Sequence, residues 1–393
     1  MKRVYLDQIA ASPVRPEVLE AMEPFFRESF GNAQSLHSAG QEAAAAIEEA
    51  RARTAGLVGA SADEIIFTAS GSESNNLALK GLAWANQIRG KRIVLSAIEH
   101  LSVLNAARSL QKSGFTTVTV PVDGMGRVDP GDVRKALTKD TVVVSVMTAN
   151  SEVGTLEPVA EIARICRDNE VLFHTDATAA AGHVPIDVKA DGVDALTLAA
   201  DQFYGPKGAA ALFIRKGVRI QPLIDGGIQE AGRRGGTENV PAIVGLGRAA
   251  EIAASGLAGR AEAIRPVRDR LIAGLPAAVP HVVLTGHPSL RLPHHASFCV
   301  EFIEGEAMLL HLDMKGIAAS SGSACTSKAL KVSHVLLAMG IDHALAQGSI
   351  VFSLPETTSA GDIDTVLEAF PPIIEKLRRM SPLYTKFLEE KSQ

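Results

Sequence analysis

Cys325 stands in a stretch of small and polar residues, Ala319-Ser-Ser-Gly-Ser-Ala-Cys-Thr-Ser327. That composition predicts an exposed loop, not a core position. An accessible thiol on such a loop is suited to nucleophilic or persulfide chemistry. The other two cysteines differ: Cys166 lies inside the apolar-patterned helix Val159 to Arg167, and Cys299 lies mid-strand in Ser297-Phe-Cys-Val300, so both read as core residues. Three scattered cysteines provide neither a disulfide framework nor a paired C-x-x-C metal site. No metal centre is expected.

Other polar residues fall where apolar runs end. In Phe67-Thr-Ala-Ser-Gly-Ser-Glu-Ser-Asn-Asn76, Gly71 and Ser72 could present backbone amides and a hydroxyl to a phosphate, or Ser72 could simply cap a helix. Asp176 follows the apolar run Val171-Leu-Phe-His174, where its carboxylate can pair with a protonated ring nitrogen or cap a turn. Glu99-His100 and Asn150 follow two further runs, and an imidazole there can stack on a ring or merely be hydrogen-bonded.

The elements that must position these residues alternate between about 60 and 215. Strand-like Glu64–Thr68, Arg92–Ser96, Phe115–Val120, Thr141–Val146 and Val171–His174 are separated by helices starting near Glu73, Leu101, Pro130 and Pro158. Such alternation predicts an α/β fold with a mostly parallel sheet covered on both faces, its ligands beyond the carboxyl ends of the strands. Helices are predicted over Pro16–Phe30 and Gln41–Leu57 before this region, and over Val240–Ala254 and Ala261–Leu275 after it. Strand-like Val282–Leu284, Ser297–Phe302 and Ser349–Ser353, with helices between and after, mark a smaller α+β domain from about 262. At 393 residues, two domains are expected. A net charge of −5 gives no electrostatic case for nucleic acid or an anionic membrane surface. With no apolar signal-length stretch at the start and no run of membrane-spanning length, the expectation is a soluble, cytoplasmic protein.

In order along the chain, Tyr5-Leu-Asp, Gly31-Asn, Leu36-His-Ser, Glu73-Ser-Asn-Asn, Glu99-His100, Asn150-Ser-Glu-Val-Gly154, His174-Thr-Asp-Ala, Phe203-Tyr-Gly-Pro-Lys-Gly208, Gly235-Gly-Thr-Glu-Asn-Val240, Ser321-Gly-Ser-Ala-Cys-Thr-Ser327 and Ser333-His-Val-Leu-Leu resemble the cysteine desulfurases. These are class V relatives of the aminotransferases with the fold type I architecture of pyridoxal phosphate (PLP) enzymes. The resemblance implies a large domain, residues 1–261, with a mostly parallel seven-stranded sheet, and a small C-terminal domain, 262–393, carrying the Cys325 loop. Residues 1 to about 15 would pack on the small domain. It further implies that His100 stacks on the PLP ring, Asn150 meets its phenolic oxygen, Asp176 pairs with the pyridinium nitrogen, and Gly71 and Ser72 hold the phosphate. Thr237 would reach across from a second subunit of a homodimer, and Cys325 would hold sulfur as a persulfide.

Six positions depart from the family pattern. Where the family has Ser-x-His-Lys, this chain has Ala199-Ala-Asp201-Gln202, and a glutamine amide cannot form the imine that anchors PLP. Where the family has Ser-Leu-Gly-Arg, whose arginine clamps the substrate carboxylate, the chain has Ser353-Leu-Pro-Glu356. An arginine–carboxylate pair contributes about 1.5–3 kcal/mol, so Glu356 is expected to replace attraction by repulsion. Ala179 and Ile9 stand at a family glutamine and a family asparagine. Lys207, Lys328 and Lys331 are the other lysines considered as anchors. The expectation is a desulfurase-like chain with no PLP, or PLP held noncovalently, that uses Cys325 for sulfur transfer or iron–sulfur cluster assembly with an acceptor or scaffold protein. The alternatives are an active PLP-dependent desulfurase or lyase, and a non-catalytic partner of a complete paralogue.

Overall fold

The computed structural model describes residues 3–322 and 332–391. Cys325, Lys328 and Lys331 lie outside the described residues.

Twelve strands are described: β1 (Val4–Tyr5), β2 (Ile65–Thr68), β3 (Arg92–Ser96), β4 (Thr116–Val120), β5 (Thr141–Ser145), β6 (Leu172–Asp176), β7 (Ala195–Ala199), β8 (Ala210–Ile214), β9 (Val282–Leu284), β10 (His295–Val300), β11 (Ile317–Ala318) and β12 (Ser349–Ser353). Seven form the large sheet, in the order β2-β8-β7-β6-β5-β3-β4. Only β8 runs against its neighbours. The other six strands therefore point their carboxyl ends to one edge. Central strands such as Thr141–Ser145 are buried along their whole length, as continuous β-branched runs covered on both faces must be. The expected mostly parallel seven-stranded sheet is present.

The smaller C-terminal unit is built on the antiparallel sheet β12-β10-β9, whose apolar face packs against the Ala360–Arg379 helix through Phe298, Phe352 and Phe370. The N-terminal strand β1 pairs in parallel with β11, and Asp7 bridges to Ser353.

Three helical expectations are corrected. The predicted Pro16–Phe30 helix is two, Pro16–Met22 and Pro24–Arg27, because Pro24 has no N–H to continue the first. Ser72 is not an N-cap: the helix starts at Gly71, and Ser70 caps it by accepting from the Glu73 amide. The two helices expected over 240–275 are one, Val240–Ala278, which runs through Pro266 and across the expected boundary at 261. By length and composition this helix could cross a membrane, but 56% of its most apolar window is buried in the fold.

Two buried carboxylates tie connections together. Glu230 receives both terminal nitrogens of Arg51, at 2.7 and 2.8 Å, and the Phe67 amide at 2.8 Å. The Arg51 guanidinium also lies 4.7 Å from the Phe67 ring centre. This pair pins the segment leading to Thr237 onto β2. Glu99, fully buried after β3, accepts from the Ser96 hydroxyl at 2.6 Å and the Met147 amide at 2.9 Å, while its second oxygen has no partner. Burial pushes its carboxyl up to about 8.

Replacing Arg51 by Met should leave Glu230 buried and uncompensated, lowering stability by about 3–5 kcal/mol in urea denaturation at pH 7. A midpoint equal to that of the parent would show that the pair contributes nothing. For Glu99, the folded state retains a proton that the unfolded chain has lost between its ordinary pKa of 4.5 and about 8, so stability falls as pH rises through that window. Glu99→Gln should remove this dependence, up to about 1.4 kcal/mol per pH unit. The stability difference between Glu99→Gln and the parent should therefore grow from pH 5.5 to 7.5; a constant difference would mean that Glu99 is already ionised at neutral pH.

Candidate functional site

The carboxyl-end edge of the sheet brings Asp176, His100, Gly71 and Gln202 to one cleft, each delivered by a different strand exit. Asp176 closes β6 and is 5% exposed. One of its oxygens accepts from Asn75 Nδ2 at 2.6 Å and the other from the Thr178 amide at 2.9 Å. Asn75 also donates to Ser102 Oγ at 2.9 Å, and Ser102 Oγ lies 2.7 Å from His100 Nδ1. Because that nitrogen also accepts the Ser102 amide, the ring is assigned its proton on Nε2. The chain Asp176–Asn75–Ser102–His100 thus fixes the carboxylate and the imidazole relative to one another. His100 serves at the same time as N-cap of the Leu101–Gln111 helix. Asn75 and Ser102 were not singled out from sequence; the one available signal is that Asn75 lies one helical turn beyond Gly71, on the same face.

Gly71 marks a close approach. A Cβ there would stand 3.1 Å from Thr178 Oγ1 and 3.6 Å from the Ala199 methyl. Thr178 Oγ1 is buried without a hydrogen-bond partner, and the Ala199 methyl, on the same side of Gly71, offers no donor. Ser72 lies in the first turn of the same helix. Asn150 is 1% exposed and engaged within its own loop: Oδ1 accepts the amides of Glu152 and Val153 at 2.8 and 3.0 Å, and Nδ2 donates to the Ile98 carbonyl at 3.0 Å. Thr237 is exposed. Its segment is fastened by Arg234, whose Nε lies 2.9 Å from a Glu73 oxygen.

The turn after β7 is a short 3-10 helix, Ala200–Gln202. Its carbonyls are tied from outside: Ser12 donates its hydroxyl to the Asp201 carbonyl at 2.7 Å, and Gln8 and His183 donate to the Gln202 carbonyl at 3.3 and 2.9 Å. Gln202 is 8% exposed, and its amide lies beside the Asp201 carboxylate and favours the charged form of that group. Burial raises the Asp201 carboxyl above its ordinary range, opposed by the Lys207 charge and the Gln202 amide. Lys207 itself is exposed. Burial also pushes the His183 ring down to about 4, so this ring is neutral and donates through Nε2.

Glu356 does not stand as a free repelling charge, and the expectation of simple repulsion is corrected. One of its oxygens contacts Arg15 Nη2 and the other lies 3.9 Å from Arg260 Nε. Its backbone amide donates to the Tyr204 hydroxyl at 2.9 Å. Sequence reading missed Arg15 and Arg260, because nothing in the chain relates them to Glu356.

Cys166 and Cys299 are both fully buried, as expected of core residues. Burial raises both thiols, that of Cys299 to about 12, which keeps them protonated and unreactive. Among the described residues no group of three or more His, Cys, Asp or Glu side chains could hold a metal ion.

A cofactor anchored as an imine does not fit these residues. At the position where the family places its imine lysine stands a buried amide, and the adjoining Asp201 adds a partly buried carboxylate to the same turn. Only the ring-nitrogen side, Asp176 with its Asn75 and Thr178 partners, is built as such a ligand would require.

A family of proteins described as aminotransferase class-V matches residues 4–366. Cysteine desulfurase IscS of Methanosarcina thermophila is 48% identical over 98% of this chain and 95% of its own length. Cysteine desulfurase NifS of Azotobacter vinelandii is 45% identical over 98% and 96%. Among solved structures, a NifS-like protein superposes with a TM-score of 0.90 at 38% identity, covering 96% of this chain and 100% of that one. With this match spanning nearly the whole fold just described, the chain belongs to the class V aminotransferase family, in the company of the cysteine desulfurases and with the fold of PLP-dependent enzymes.

Proposed function

We propose that this chain handles sulfur as its relatives do, but without imine-dependent desulfuration of free cysteine, and that Cys325 receives and passes persulfide sulfur. The observation that carries this reading is Gln202: the turn that would hold the imine lysine is intact and fixed through its backbone, yet the side chain at that position is a buried amide, which cannot form an imine. Near-full-length similarity to proteins named cysteine desulfurase supports sulfur as the cargo.

The transfer needs no external oxidant. The Cys325 thiolate attacks the outer sulfur of a persulfide donor, R–S–SH; the new S–S bond forms as the old one breaks, and R–S⁻ leaves. An acceptor thiolate then takes the outer sulfur by the same exchange, returning Cys325 to the thiolate. The expected acceptor is a thiol-bearing sulfur carrier or an iron–sulfur scaffold protein, and the working unit is a homodimer in which Thr237 approaches the neighbouring site.

A second reading is favoured by one feature. The Asp176–Asn75–Ser102–His100 network keeps a carboxylate and an imidazole poised for a pyridine ring, which suits PLP bound noncovalently in a lyase acting on an amine.

One set of measurements separates these readings. The protein is incubated with PLP, reduced with borohydride and weighed intact; sulfur transfer from a small-molecule persulfide to an acceptor thiol is followed for the parent and Cys325→Ser. The expected result is no lysine adduct, with transfer at the background rate in Cys325→Ser. A pocket-lysine adduct with sulfide released from cysteine would overturn the proposal. Product formed from an amine only when PLP is supplied, without an adduct, would establish the second reading in its place.

A further inference from the structure

Glu356 bridges two guanidinium groups that come from distant parts of the chain. Arg15 lies just before the Pro16–Met22 helix, Arg260 inside the Val240–Ala278 helix, and Glu356 just beyond β12. All three side chains are only 22–23% exposed. Arg260 directs its two terminal nitrogens to the carbonyls of Ile252, Ala253 and Gly182, leaving Nε toward Glu356. The Arg15 guanidinium covers the Tyr204 ring, 4.9 Å from its centre, and the Arg15 amide donates to the Tyr204 carbonyl at 3.1 Å. Tyr204 itself has φ +67°, a strained value for a residue with a side chain, and receives the Glu356 amide on its hydroxyl.

Two half-buried cations at one place repel, and each is held in a poorly hydrated setting. Such a pair calls for an anion between them, and here each oxygen of one carboxylate faces a different guanidinium. Beside the carboxylate is a cavity of about 20 Å³, bordered by Arg260, Tyr204, His183, His294 and Leu354, with room for about one water molecule. His183 and His294 stack there at 3.9 Å; burial holds both rings neutral, so the site keeps a single positive charge, two cations less one carboxylate.

We propose that Arg15 and Arg260 form a carboxylate-binding site in the cleft between the two parts of the fold, and that Glu356 is its resident ligand. In this role Glu356 holds the end of β12 against the turn carrying Asp201, Gln202 and Tyr204, and closes the site to small carboxylates from solution. The assignment is independent of whether Cys325 carries sulfur.

Substitution of Glu356 by Ala removes a CH₂–COO⁻ group, the atoms of one acetate ion less a hydrogen. Acetate is therefore the probe, used against sodium chloride at equal ionic strength. In thermal unfolding, Glu356→Ala should melt below the parent and regain about 2 °C or more when acetate replaces chloride at about 100 mM. The parent, whose site is filled, and the double variant R15Q/E356A should not respond. Equal responses of parent and Glu356→Ala, or none in either, would overturn the assignment, as would an acetate response that persists in R15Q/E356A. Should Glu356→Ala fail to fold, the singles R15Q and E356Q and their double variant decide the matter by urea denaturation. A double variant no less stable than the weaker single would support the bridge, and strictly additive losses would refute it.

Discussion

The hydrogen bonds that Ser12, Gln8 and His183 give to the carbonyls of Asp201 and Gln202 are the constraint on which this site depends. They fix the turn after β7 through its backbone, so its shape does not require any particular side chain at 202. Ser12 also accepts the Tyr204 amide at 2.9 Å, completing a clasp around residues 201–204. A lysine at 202 would gain a preorganised position from this clasp, but the clasp does not need the lysine. That is why a chain can lose the imine-forming amine and retain the fold of its relatives at a TM-score of 0.90.

The rest of the cleft follows from the sheet. Parallel strands deliver the residues after β3, β5, β6 and β7 to one edge, which sets Glu99-His100, Asn150, Asp176 and Gln202 side by side although they span about a hundred residues of chain. Side-chain bonds then lock those exits together. Glu99 joins the β3 exit to Met147 beyond β5, Asn150 reaches back to the Ile98 carbonyl, and Asn75 joins Asp176 to Ser102. Each of these residues has a structural duty, so its retention alone does not imply that a cofactor is bound.

Much of this was legible in the sequence where local chemistry decides. Thr141-Val-Val-Val-Ser145 and Arg92-Ile-Val-Leu-Ser96 announce strands by β-branched content, and both are strands. The alanine-rich β7 and β8, Ala195-Leu-Thr-Leu-Ala199 and Ala210-Ala-Leu-Phe-Ile214, do not, because their small residues are selected by packing on both faces and not by strand preference. The long Val240–Ala278 helix reads in sequence as two, Val240–Ala254 and Ala261–Leu275; the stretch between them holds Gly256 and Gly259, which weaken a helix in isolation, yet the helix continues, its N-terminal part buried against the Ser38–Leu57 helix and the core. Least legible were the long-range pairs. Arg15 and Glu356 are separated by 341 positions and Asn75 and Asp176 by 101, and no pattern in one chain relates such residues.

The two charge-bearing departures do not weigh equally. Glu356 reverses a family charge, but Arg15 and Arg260 absorb it, so that corner of the cleft remains net positive. Asp201 has no such answer: burial raises its carboxyl, its relief comes from a neighbouring amide and an exposed lysine, and both lie on its own turn. An exposed lysine screens weakly. A dianionic phosphate approaching Gly71 would meet a methyl group at Ala199 and one unpaired hydroxyl at Thr178, in place of a set of donors. Of the two charges, only Glu356 is thus matched by half-buried cations, and the turn that carries Asp201 and Gln202 is the less suited to a dianion.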